Sequence, residues 1–240
     1  MTSEVEAQAN SAVYYEKRYS GWGLRYHKSV IDWMLEGIWP DQLTLDAGCG
    51  TGIIKRLFPS HHLVGVDVSE EMVKRCPEWP LPYAMVQTVT HLQVYPEYEA
   101  VVCRSLLHHL PDHKLALKEF HRVLKPGGKL VLWETNKGWL AQQVRRRTQH
   151  GDRFSEYHHA FRPGELEADL RNAGFLVQEV WHSGFLAYPL FGFPDIIDFT
   201  RFMYAPSAVY WTTMFLDSVF SKIPFLRNWS WAVGIKAVKV

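Results

Sequence analysis

The chain has 240 residues and a mass of 27.9 kDa, with 47% hydrophobic and 21% charged side chains, which excludes a disordered chain and allows a sizeable core. Lys and Arg number 26 against 25 Asp and Glu, so a formal charge of +1 gives no bulk attraction for polyanions, and no nucleic-acid partner is expected. Cysteines at 49, 76 and 103 form no C-x-x-C pair, which gives neither a disulfide framework nor a zinc site. The acidic N-terminus lacks the basic start and apolar core of a signal peptide, so the expected compartment is cytoplasmic.

Residues 1–40 read as a helical cap in which Tyr26, Val30, Trp33, Met34 and Ile38 recur at three- and four-residue spacing. From residue 43 short apolar runs alternate with helical patterns. Strands are expected at 43–47, 62–66, 83–86, 100–103, 129–133, 175–181 and 231–239, and helices at 51–58, 69–75, 112–124 and 163–173. Ser69 stands as a cap before acids, and Lys125-Pro126-Gly127-Gly128 stops the third of these helices. Regular alternation of this kind predicts a doubly wound α/β fold with a mostly parallel sheet and right-handed crossovers.

The first strand runs into Leu45-Asp46-Ala47-Gly48-Cys49-Gly50-Thr51-Gly52 and then a helix. Glycines there let the chain turn tightly and let a ligand approach the main chain. The second strand ends in Val66-Asp67, where an acid can accept both hydroxyls of a ribose. A phosphate-binding P-loop is excluded because no Gly-Lys-Ser/Thr follows. The third glycine arrives one residue too early for the dinucleotide pattern G-x-G-x-x-G, and Asp46 beside the loop suits a cationic ligand better than a pyrophosphate.

Three motifs, LDAGCGTG at 45–52, VGVDVSEEMV at 64–73 and RSLLHHLPDHKLALKEFHRVLKPGGKLVLWE at 104–134, resemble the class I S-adenosylmethionine-dependent methyltransferases. The nearest branch is the small-molecule group that includes quinone C-methyltransferases and sugar O-methyltransferases. The resemblance covers residues 43–183 and implies a Rossmann-like sheet of seven strands, the last antiparallel. It implies S-adenosyl-L-methionine as cofactor and S-adenosyl-L-homocysteine as product. Position by position, Asp46 would face the amino group of the methionine moiety, and Gly48, Cys49 and Gly50 would pass beneath the cofactor. Asp67 would hold the ribose, and Val68 and Met72 would pack on the adenine. Arg104 and Ser105 would present backbone near the sulfonium. Where relatives carry an Asp for the adenine amine this chain has Thr88, so Thr88 or the Val89 amide takes that role.

Methyl transfer needs an acceptor atom within about 3–3.5 Å of the methyl group and, for many acceptors, a base. The resemblance points to His109 as base with His108 beside it; the same His-His string also serves to fix the loop in members with other substrates. Glu134, after the fifth strand, orients a hydroxyl or forms a structural pair. Tyr14, Tyr15 and Tyr19 close over the cofactor or pack as core, and Tyr15 is carried as a substrate-site candidate. His158, with His159 beside it, reaches the site or lies at the surface. Arg145-Arg146-Arg147 is a solvated face unless turned inward. A metal reading from twelve histidines and the His109/His113 spacing is set aside for want of an HExxH or convergent carboxylates.

Of 34 aromatic residues, 14 lie between Phe185 and Trp231, within an expected insertion at 186–230 between the last two strands. Its uncharged run at 202–216 is too short, and broken by Pro206, for a membrane span. The organisation expected is therefore one methyltransferase domain over 1–240, with a cap at 1–40, a cofactor-binding core at 43–183, an aromatic lid at 186–230 and a last strand at 231–239. The lid is expected to give Trp211 and Phe215 to a pocket for a small lipophilic or aromatic acceptor methylated on O or C. Peripheral membrane contact or a homodimer through 186–230 stands beside that reading, as does a catalytically lapsed protein that binds cofactor or lipid and acts as a partner.

Overall fold

The computed structural model describes residues 15, 17–77, 83–93, 97–139, 142, 160–194 and 197–240. Tyr14, Arg145–Arg147, His158 and His159 lie outside them. The strands are β1 (Thr44–Ala47), β2 (Leu63–Asp67), β3 (Ala84–Val86), β4 (Tyr98–Arg104), β5 (Leu124–Thr135), β6 (Phe175–Ser183) and β7 (Ala232–Lys239). They form one sheet in the order β3-β2-β1-β4-β5-β7-β6, in which β7 runs antiparallel to both its neighbours and the other pairings are parallel. The chain winds outward to β3 on one side of β1 and to β5 on the other, which puts the switch point between β1 and β4.

Period-two alternation divides each central strand between two cores. Ala100, Val102, Val131 and Trp133 face one core, whereas Val101, Cys103, Leu130 and Leu132 face the other. The first core is covered by α1 (Gly21–Leu35), whose Tyr26, Val30 and Met34 are buried as the periodicity predicts, and Trp33 packs on Trp181 with ring centroids 4.8 Å apart. The second is covered by α4 (His113–Val123) and α5 (Glu165–Asn172). Asp112 caps α4 by accepting from Lys114 N at 3.0 Å. Two short helices, α2 (Ile53–Leu57) and α3 (Glu70–Val73), follow β1 and β2, and Ser69 caps α3.

One boundary differs from the expected strand at 129–133. The strand is continuous from Leu124, and Lys125–Gly128 bulge out between the pairs Tyr98↔Leu124 and Ala100↔Lys129, which a glycine at φ +73° (Gly127) permits.

Between β6 and β7 the chain builds α6 (Ala187–Phe191) and α7 (Pro206–Phe220), with short 3-10 helices at Phe199–Phe202 and Pro224–Trp229. Asp217 of α7 accepts from Leu186 N at 2.8 Å and Ala187 N at 3.2 Å, which ties α7 to the start of α6. Among the described residues no helix is long and apolar enough to cross a membrane.

Candidate active site

A cavity of about 910 Å³, open solvent at its mouth included, lies at the C-terminal ends of β1, β2 and β4. Its floor is the turn after β1. Gly48 and Gly50 have φ of +71° and +53°, a region other residues enter at a cost. A Cβ at Gly48 would meet Leu106 at 2.8 Å, whereas a Cβ at Gly50 would meet nothing within 4 Å, because it would project into open space above the loop. That space is where a ligand can lie against bare main chain. Cys49 lines the floor, and its thiol is held far above the usual range by its hydrogen bond with Cys76 and by burial, so it is no nucleophile.

Two carboxylates face the cavity. Asp67, at the end of β2, accepts from Gly50 N and Ser69 N, each at 2.9 Å, one on each oxygen. Each oxygen keeps a further lone pair, so a vicinal diol can still be bound. Burial raises the Asp67 pKa, and those two N–H bonds offset part of the rise. Asp46, in β1, is almost fully buried and accepts from the Tyr83 hydroxyl at 3.1 Å. Burial pushes its pKa up to about 7 against the opposing effects of Tyr83 and Arg104. A carboxyl so poised gains from a cationic ligand. Val68 and Met72 line the side wall beyond Asp67.

The opposite wall is the turn after β4. Ser105 has φ +55°, the one positive value at a non-glycine among the described residues, and its N–H donates to Trp133 O at 2.8 Å. Arg104 reaches across to donate to the Tyr19 hydroxyl and sits 3.3 Å from His27 Nδ1. The His27 Nε2–H donates to Gly192 O at 3.0 Å, and burial together with Arg104 and Arg18 holds this imidazole neutral by pushing its pKa well down. His109 lines the cavity here, and Tyr15 lines its cap side.

Several expected site residues lie elsewhere. His108 and Glu134 are buried behind the wall rather than in it. Glu134 Oε1 accepts from Leu106 N and Leu107 N, both at 2.8 Å, and its Oε2 accepts from His108 Nδ1 at 2.6 Å. Burial nevertheless pushes its pKa up to about 7. Glu134 therefore fixes the turn that presents His109, and His108 stacks on His109 with centroids 4.1 Å apart. Thr88 and Val89 line no part of the cavity: Thr88 is exposed and bonded to Thr90 at 2.9 Å, and Val89 is packed in the core with Leu92 and Tyr98. Trp211 and Phe215 also lie outside the lining, because the outer side of α7 carries them into solvent. The insertion contributes Tyr188 instead. His113 bonds Asp169 at 2.7 Å, and among the described residues no group of His, Cys, Asp and Glu converges as a metal site.

The residues 45–132 match the family model described as a methyltransferase domain. The ubiquinone biosynthesis O-methyltransferase of Xanthomonas oryzae pv. oryzae is 30% identical over 166 residues, a match to 60% of this chain and 66% of that protein, just under two thirds of its length. A SAM-dependent methyltransferase from Thermotoga maritima superposes over 99% of this chain and 100% of its own, with a TM-score of 0.67 at 18% identity. A phosphoethanolamine N-methyltransferase from Haemonchus contortus, solved with S-adenosylhomocysteine, superposes over 100% of this chain and 60% of its own, also at 0.67, with 19% identity.

The chain carries a methyltransferase domain over residues 45–132 and has the fold of the S-adenosylmethionine-dependent methyltransferases. The bare loop at Gly50, the free lone pairs of Asp67 and the buried carboxyl of Asp46 fit the family's cofactor, whose diol and ammonium group they complement. The cavity is also lined by residues the sequence did not single out, among them Arg18, His27 and Tyr188. They come from the cap and the insertion, and the signal for them was indirect. A charged Arg104 ending a buried strand needs partners, and the cap's Tyr19 and His27 supply them.

Proposed function

We propose that the chain transfers the methyl group of S-adenosyl-L-methionine to an oxygen or carbon atom of a small lipophilic or aromatic acceptor, with His109 as the base. The observation that carries this is the placing of His109 in the same cavity as the Gly48–Gly52 loop and Asp67. The likeness to an O-methyltransferase of ubiquinone biosynthesis favours oxygen over carbon as the acceptor atom. Bound here, the cofactor supplies an electrophilic methyl group on a sulfonium. Asp67 receives the ribose hydroxyls, Asp46 faces the ammonium, and Val68 with Met72 flanks the adenine. Tyr15 and Tyr188 narrow the mouth against water. The His109 imidazole takes the acceptor's proton, and Glu134 holds its turn in place through the N–H groups of Leu106 and Leu107.

The test pairs calorimetry with turnover. S-adenosylhomocysteine should bind the purified chain, and a catechol-type acceptor should gain a mass-labelled methyl group from a deuterated cofactor. His109→Ala should lower turnover by about 10²–10⁴ and leave S-adenosylhomocysteine affinity unchanged. A loss below about threefold would remove His109 from the chemistry, and silence in the calorimeter would remove the cofactor.

A further inference from the structure

Helix α7 packs Tyr210, Val209 and Met214 on the core and still carries apolar side chains on its outer side. Ala208, Trp211, Phe215 and Val219 recur at three- and four-residue spacing and so share one side of the helix, with Lys222 continuing that side just past its end. This side is exposed, Trp211 to 63% and Phe215 to 67%. The polar Thr213 and Asp217 are on the buried side. Nearby in the chain, Phe202, Tyr204, Phe225 and Trp229 are exposed as well. Six aromatic side chains within 28 residues of sequence are thus left open to solvent.

Charge indicates what covers this surface. Within residues 199–230 the exposed charged side chains are Arg201, Lys222 and Arg227, all cationic, and the segment's one acid, Asp217, is buried. Asp198, just before the segment, pairs with Arg201 at 3.1 Å and leaves the sign of the rest unanswered. A two-fold pairing would set this surface against a copy of itself, which offers Lys222 and Arg227 no exposed acid of the segment. Aromatic rings interleaved with Lys and Arg are instead the composition that settles at the boundary of headgroups and acyl chains. The 15-residue helix is about 22 Å long, too short to cross and long enough to lie flat.

We propose that the outward side of α7, together with Phe202 and Phe225, docks on an anionic lipid surface. The docking requires neither cofactor nor acceptor, so it stands or falls apart from the catalytic reading.

The experiment uses the full chain with vesicles of phosphatidylcholine mixed with phosphatidylglycerol, against phosphatidylcholine alone, read by co-sedimentation. The mixed vesicles should bind at least about tenfold more strongly, and the excess should shrink as salt is raised. The double substitution Trp211→Ser/Phe215→Ser, and separately Lys222→Glu, should each lower binding to mixed vesicles at least about tenfold while the melting temperature and S-adenosylhomocysteine affinity stay where they were. Equal binding to both vesicle types would overturn the proposal, and so would full binding by the double variant. A dimer in sedimentation velocity that the double variant dissolves would give this face to a second copy and likewise overturn it.

Discussion

Helix α4 turns Ala116, Leu117, Phe120 and Val123 into the core and leaves Lys114 and Lys118 in water, whereas α7 buries Thr213 and Asp217 and leaves Trp211, Phe215 and Val219 in water. Both have the period of an α-helix, but only α4 carries one polar and one apolar side. Helix α7 is apolar nearly all round, with Tyr210 buried, Val209 and Met214 packed against the core, and a second set of apolar side chains left outside. In α4 the hydrophobic effect holds the helix on the sheet. In α7 hydrogen bonds from Asp217 to the start of α6, with Tyr210 packed against Trp22 and Phe191, do the holding. The outer apolar side of α7 adds nothing to the fold of the isolated chain. Its chemistry answers to something outside it.

That contrast can be broken by substitution, most sharply at Phe120. Its ring is fully buried, and Phe120→Ala should cost about 3–5 kcal/mol. For a chain of this size that lowers the melting temperature by roughly 6–20 °C in a calorimetric scan. A shift under a few degrees would mean that α4 is not held by its apolar side. The matching change in α7 is Asp217→Ala, which strands the N–H groups of Leu186 and Ala187. A loss of about 2–4 kcal/mol is expected, with faster amide exchange confined to the start of α6. Unaltered exchange there would show that α7 is secured by other contacts.

Two buried acids extend the comparison. Asp217 is satisfied by its own main chain, whereas Asp46 receives a hydrogen bond from Tyr83 and is pushed up to about 7 by burial. A cationic ligand favours its ionised form, so ligand binding should expel a proton below that value. S-adenosylhomocysteine affinity should therefore rise about tenfold between about pH 6 and pH 8, and the slope should vanish in Asp46→Asn. Calorimetry in buffers of different ionisation enthalpy checks the proton release; a slope that survives in the variant would assign it to another group. The smallest effect belongs to the exposed side of α7. Phe215→Ser should move stability by no more than about 0.5 kcal/mol, under about 2 °C in the same scan.

Much of the fold was readable from the chain because its signals are local. The Tyr26–Val30–Met34 stripe, the glycine turn after the first strand and the Ser69 and Asp112 caps each act within a few residues; alternation of elements gave the doubly wound parallel sheet, and the family resemblance gave its antiparallel last strand. That Asp46, Gly50 and Asp67 line one cavity was readable for the same reason, since they lie at or just past strand ends whose direction is set by the parallel sheet. The rest depended on facing. Tyr210, Trp211, Phe215 and Phe220 mark at least two sides of α7 without saying which turns inward, and the insertion's place over the active edge put Trp211 and Phe215 in the expected pocket. The lone acid in an otherwise uncharged helix, Asp217, was the available hint, since a single carboxylate with unmet backbone donors nearby can outweigh several rings in choosing the inner side. Glu134 and His108 were misplaced for a related reason. A carboxylate and an imidazole at the active edge of a sheet look alike in sequence whether they touch a ligand or, as here, bond each other at 2.6 Å behind the wall.

The three cysteines at 49, 76 and 103 are the only ones in the chain, and all are buried as free thiols. For spectroscopy this gives a quiet background. A maleimide dye or nitroxide applied briefly should pass over these shielded sulfurs and react with a single introduced surface thiol, such as Ser218→Cys on α7. The native protein can thus carry one reporter at a chosen depth, without first being stripped of its own sulfur.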